Sequence, residues 1–140
     1  MAARRPVAVP WRAPETAFAP LRDTPFALLL HGGGAEARGR RSLILADPVQ
    51  TFTPEAGSGL FEALAAAGDA HAARSGFGWA GLFGYDLAAS LEHLPACAQP
   101  EGWPAAALGW YRAAIEFDHE SRTLSILGDE AAGRFLLERL

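Results

Sequence analysis

Gly76, Gly78 and Gly81, in the stretch GFGWAGLFGYDL, satisfy the spacing G-x-G-x-x-G, which can cradle a pyrophosphate. That chemistry needs a strand before the first glycine and a helix opening at the last, so that backbone amides and the helix dipole face the phosphates. Here a helical pattern precedes Gly76, and Trp79, Leu82 and Phe83 carry a strand through the motif. The glycines therefore read as packing residues. Glycine inside a strand marks a bulge or a second backbone in close contact. Trp79, Phe83 and Tyr85 fall on one strand face, and Gly78 and Gly84 leave the strand without bulk.

The other chemically capable side chains are scattered. His31, His71, His93 and His119 include no pair at the i, i+4 spacing of a zinc helix, so no metal site is expected. Asp118 and His119 sit in a hairpin-length segment, DHESR, where a turn role outweighs general-base chemistry. Ser42 and Ser58 lack the G-x-S-x-G context of an activated serine. Asp86 opens a short helical stretch, where a carboxylate at the first turn stabilises the helix dipole. Glu92 reads as structural. Cys97 is the single cysteine, so it forms no internal disulfide; it reads as a small loop residue and points to a cytoplasmic setting. No catalytic residue and no cofactor are expected in this chain.

These residues need elements to hold them. At 140 residues, half of them hydrophobic, the chain suits one ordinary domain with a core built without disulfides or metal. The net charge is −4, and Arg4, Arg5, Arg38, Arg40 and Arg41 make two clusters too short to track a nucleic-acid backbone. No window is long enough to cross a bilayer, and the start MAARRPVAVPW lacks a signal-peptide apolar run. We expect neither a nucleic acid nor a membrane as partner.

Residues 1–24 read as an irregular lead-in with VAVPW as a possible edge strand, followed by a single domain over 25–140. PFALLLH, from Pro25 to His31, is an apolar run that predicts a strand buried on both faces. SLILADP predicts a second strand, which VQTFT continues with Val49, Thr51 and Thr53 on one side. SGLFEALAAAGDAHAAR predicts a helix, with Leu60, Leu64 and Ala67 on one face and Ser58 as N-cap. DLAASLEHL predicts a short helix and PACAQPEGWP a surface loop. Ala106 to Phe117 predicts one long strand, returning through DHESR to TLSIL with Leu124 and Ile126 on one face. DEAAGRFLLERL predicts a closing helix with Phe135, Leu136 and Leu140 near one stripe. About six strands and three helices, with strands adjacent in sequence, give an α+β fold of mostly antiparallel sheet.

Four of these stretches, in this order, also carry a resemblance: PFALLLHGG, GRRSLILADPVQTF, GLFGYDL with LEHLP, and ALGWYRAAIEFDHESRTLSIL. Together they resemble the N-terminal part of the anthranilate synthase component I family, over about Pro25 to Leu127. His31 resembles the para-aminobenzoate branch, aminodeoxychorismate synthase component I, where the anthranilate branch carries Leu-Leu-Glu-Ser. The resemblance implies the N-terminal component I fold. It implies a parent enzyme that, with a glutaminase subunit, adds ammonia to chorismate and gives 4-amino-4-deoxychorismate for folate synthesis. The chorismate-binding catalytic domain and its magnesium-binding glutamates lie in a C-terminal part absent from these residues, so this chain alone is expected to be inactive. The alternatives are the corresponding domain of anthranilate synthase and a freestanding amino-acid-binding module.

The same resemblance implies a tryptophan pocket at Leu30, His31, Gly32, Arg40 and Arg41, with a strand edge meeting the ammonium and an arginine the carboxylate. Gly32 departs from the serine usual there, and the segment from Gly32 to Arg41 is one residue shorter than in the family. A domain separated from its neighbour should expose an apolar face and self-associate.

Overall fold

The computed structural model describes residues 4–34, 38–53, 60–71, 76–84 and 104–140. Eight strands and three α-helices form there: β1 (Arg4–Val7), α1 (Pro14–Phe18), β2 (Leu28–Leu30), β3 (Arg41–Leu45), β4 (Gln50–Phe52), α2 (Leu60–His71), β5 (Gly78–Phe83), β6 (Ala106–Tyr111), β7 (Ala113–Asp118), β8 (Thr123–Gly128) and α3 (Glu130–Leu137). Five strands pair in the order β1-β8-β7-β3-β2 and three in the order β4-β6-β5, and every pairing is antiparallel. The fold is α+β and mostly sheet, as the sequence implies. Among the described residues no helix is long and apolar enough to cross a membrane.

Alternation along β7 and β8 builds the core. Ile115 and Phe117, with Leu124 and Ile126 across the hairpin, turn one face of the five-stranded sheet toward α1 and α3. Ala17 and Leu21 complete that cluster from the N-terminal side, so residues expected to be irregular include a short helix and a 3-10 turn, Ala19–Leu21. Pro14 at the helix start explains α1 locally, since proline's fixed φ suits a first helical turn. The opposite face of the sheet, through Leu45 and Ala114, meets Tyr111 and Ala80 of the second sheet and Phe77 just before β5.

Several elements differ from the sequence reading. The edge strand expected at VAVPW begins earlier, at Arg4, and ends at Val7. Pro25 to His31 is not a strand buried on both faces. A turn closed by Ala27 N–H to the Thr24 carbonyl, with Phe26 at φ 58°, uses up its first half, and only Leu28–Leu30 pairs, at a sheet edge. Residues 49–53 do not continue β3. Asp47 at φ 53° and Pro48, which has no N–H, turn the chain out of the first sheet, and Val49 N–H bonds the Trp110 carbonyl as β4 starts in the second. The long strand from Ala106 to Phe117 is two strands in different sheets. They part at Arg112, whose carbonyl accepts from Phe77 and Asp129. In α3, Leu136 is buried, whereas Phe135, a hundred-degree step around the helix, is 60% exposed.

Helix α2 forms as expected, although the side chains of Leu60, Leu64 and Ala67 and the cap at Ser58 lie outside the described residues. So do the helix expected at DLAASLEHL, the loop PACAQPEGWP except its last residue, Pro104, and Tyr85, Asp86, Glu92, His93, Cys97 and Trp103.

Candidate functional site

Strand β3 carries the site because its two faces do different work. Arg41 stands opposite Asp118 in the register with β7, and Leu43 opposite Glu116, so these side chains share the face turned away from α1 and α3. Glu116 and Asp118 are both buried. Buried carboxylates need charge partners and hydrogen bonds, and the structure supplies arginines from several elements. Arg4 Nε lies 2.7 Å from Glu116, and Arg41 Nε lies 3.6 Å from its other oxygen. Arg40 donates to Asp118 Oδ2 from Nε at 3.0 Å and approaches it with Nη2 at 2.8 Å, while its Nη1 reaches Glu120 at 2.6 Å. Asp118 Oδ1 accepts the backbone N–H groups of Glu120 and Ser121, which closes the β7–β8 turn. The Arg40 hydrogen bond, then the Ser121 amide, hold the Asp118 carboxyl well below the usual carboxylate range. Asp118 in turn raises the Arg40 guanidinium.

On the other face Ser42 stands opposite Phe117 and is fully buried. Its Oγ accepts the Gly32 N–H at 3.0 Å and lies 2.7 Å from Nε2 of His119. The His119 ring meets Trp11 and His31 edge-on, at 5.7 and 5.6 Å between centroids. Nδ1 of His31 accepts from Gly33 N–H, which leaves the ring proton on Nε2, 3.0 Å from Glu15 of α1. The chain thus ties α1, the end of β2, the start of β3 and the β7–β8 turn into one polar brace. With Ser42 sealed from solvent, no carbonyl substrate reaches its hydroxyl, so the Ser42–His119 contact positions strands.

The five residues assigned to a tryptophan pocket come from the end of β2 and the start of β3. Leu30 pairs with Leu43 at the sheet edge and is 43% exposed. His31 and Gly32 belong to the polar brace, and Arg40 and Arg41 belong to the carboxylate network. Both arginines therefore already have acidic partners. Gly32 is required by close approach: a Cβ there would lie 2.3 Å from the Arg41 carbonyl oxygen and 2.5 Å from that of Gly39. Trp11, Glu15 and Glu116 were not singled out in the sequence. The alternation of charge in AAIEFD against RSLIL was the available signal for Glu116. Nothing local marks Trp11 or Glu15, which reach the site only through tertiary folding.

Gly78 and Gly81 lie in strand β5, and Gly76 precedes it. Gly81 lies within β5 opposite Leu108, and a Cβ there would fall 2.0 Å from the Ala107 carbonyl oxygen, so the neighbouring backbone requires glycine. No helix opens at Gly81, as the packing reading expects. Among the described residues no group of three or more His, Cys, Asp or Glu side chains is placed to hold a metal ion.

No family profile matches the chain. It is 34% identical over 146 residues to the aminodeoxychorismate synthase component 1 of Klebsiella aerogenes, a match covering 86% of this chain and 32% of that protein. It is 30% identical over 147 residues to the aminodeoxychorismate synthase component 1 of Salmonella typhimurium, with the same coverage. The chain thus spans about a third of the length of the curated relatives it matches. The resemblance carried by the four ordered motifs is one to aminodeoxychorismate synthase component 1.

Proposed function

We propose, from this kinship with aminodeoxychorismate synthase component 1, that the chain is the N-terminal scaffold domain of such an enzyme. On this reading the parent protein works with a glutaminase subunit in the cytoplasm and converts chorismate and ammonia to 4-amino-4-deoxychorismate. The chorismate site and any magnesium belong to a C-terminal domain, and these residues frame that domain without supplying its chemistry. The observation that carries the proposal is the identity along 86% of the chain to a third of a longer synthase component. A chimera tests it: this chain replaces the matching third of the Klebsiella aerogenes protein. The chimera should form 4-amino-4-deoxychorismate from chorismate and ammonia, and this chain alone should form none. A folded but inactive chimera, or turnover by the chain alone, counts against the proposal.

A second reading, an amino-acid site at Leu30, His31, Gly32, Arg40 and Arg41, is favoured by the position of β2 at a sheet edge beside Arg41. A strand edge leaves backbone groups free to meet a ligand's ammonium. Tryptophan's carboxylate would compete with Glu116 and Asp118 for the arginines, so the affinity is expected to be low and salt-sensitive. Calorimetry with tryptophan decides: absence of heat at millimolar ligand removes this reading and leaves the scaffold proposal standing.

A further inference from the structure

Strand β1 forms one edge of the five-stranded sheet and covers β8, in register from Arg4 opposite Leu127 to Val7 opposite Leu124. Little carbon holds it there. Val7 packs against the core cluster, but Pro6 is exposed and, having no N–H, gives the ladder no donor. The side-chain ties are ionic or polar and lie on both faces of the strand. On one face Arg4 Nε lies 2.7 Å from Oε1 of Glu116, with the Arg4 side chain 44% exposed and that of Glu116 only 6%. That oxygen is buried and accepts no hydrogen bond, so charge alone joins the pair. Arg41 Nε, 3.6 Å from the other oxygen, is beyond hydrogen-bond reach. On the opposite face Arg5 Nη1 donates to the Gly128 carbonyl at 2.8 Å, and its Nε lies 3.5 Å from Glu130 at the start of α3. The covered strand has a different character. β8, TLSILG, carries neither charge nor proline, the two features that keep a sheet edge from pairing with other chains. β1 has both.

We propose that β1 is a detachable strap, latched by Arg4 on Glu116, which opens from β8 separately from the rest of the sheet. Ionic strength sets how often it opens, because salt screens a half-exposed ion pair that no hydrogen bond reinforces. Opening frees the N–H and C=O groups along the outer side of β8, a template for another strand. Access to that edge is therefore under electrostatic control. The strap does not depend on the enzyme assignment.

Native-state hydrogen exchange of the full chain, read amide by amide by NMR at low salt and at about 1 M salt, tests the proposal. At the higher salt, screening reaches ~3 Å. The β1 amides should exchange roughly two- to fivefold faster there, the effect of losing a half-exposed ion pair. The amides of Ile44 and Ile115, both fully buried, should not follow. Glu116→Gln should give the fast β1 exchange already at low salt and abolish its salt response. Arg4→Gln, at a half-exposed side chain, should do the same and serves where Glu116→Gln fails to fold. Arg5→Gln leaves the latch intact, so it should speed β1 exchange yet keep the salt response. Three results would overturn the proposal: β1 amides exchanging at the rate of Ile44 and Ile115 at both salts, no rise with salt, or a rise of the same size when Arg4 or Glu116 is replaced.

Discussion

Gly32 occupies the tightest corner of the edge site, and its replacement reports directly on that geometry. Its virtual Cβ meets backbone oxygens of Arg41 and Gly39, which cannot swing away as a flexible side chain can. Gly32→Ser should therefore destabilise the chain by about 1–3 kcal/mol, the usual cost of overpacking. The urea midpoint measures it, and an unchanged midpoint would mean that the 32–41 segment gives way freely. Asp118 makes a prediction with pH. Its folded-state pKa is depressed, first by Arg40 and then by the Ser121 amide. Its contribution is complete above the unfolded value of about 4 and is lost as pH falls toward the folded one. Urea midpoints taken from neutral pH downward should fall in acid, and Asp118→Asn should flatten that fall while lowering stability at neutral pH. Equal acid slopes in the two chains would show that Asp118 does not carry the dependence.

The elements are held by a few contacts at their ends. Asp129 caps α3, its side chain accepting the Ala132 N–H at 2.8 Å and meeting Arg112 at 2.8 Å. The Ala132 amide, followed by Arg112, keeps its carboxyl below the ordinary range. Asp129→Ala should cost about 1 kcal/mol, the typical loss of an N-cap, read as a lower thermal midpoint. Tyr111 pins the end of β6 to the turn before β2, donating its hydroxyl to the Phe26 carbonyl at 2.6 Å. Burial pushes its phenol up to about 12. A raised folded pKa means stability present below the unfolded value of about 10 and lost as pH rises beyond it. Spectrophotometric titration should show one tyrosine ionising late, and Tyr111→Phe should remove that phase and the associated alkaline loss of stability. The β7–β8 hairpin, β5 and α3 were legible because alternation or helical period marks them within a few residues. The breaks at Asp47-Pro48 and at Arg112 were not, because an apolar run reads alike whether it stays in one sheet or crosses to another. The site was legible in the same measure. Arg40 and Arg41 stood out as charges beside a strand, but their partners Glu116 and Asp118 become partners only through antiparallel register, and Trp11 and Glu15 only through the docking of α1.

The molecule as a whole leaves apolar surface uncovered at particular places. Phe83 is 57% exposed, and Leu82 beside it is also exposed, at the end of β5, an edge of the three-stranded sheet; Leu30 is exposed on an edge of the other sheet. Exposed apolar residues on a strand edge combine two drives to association, unburied carbon surface and unpaired backbone groups. Phe135 is as exposed as Phe83 but lies on a helix, where the backbone bonds are already made, so it supplies only the first. Light scattering across concentration should therefore show an apparent mass rising above that of one 14.8 kDa chain. Phe83→Asp should suppress the rise more than Phe135→Asp, with the circular dichroism of both variants unchanged. If neither substitution alters the rise, association is driven elsewhere on the surface. If the unmodified chain keeps the mass of a single chain at every concentration, the sheet edges are not sticky, because net charge and, at β2, a strand of only three residues already protect them.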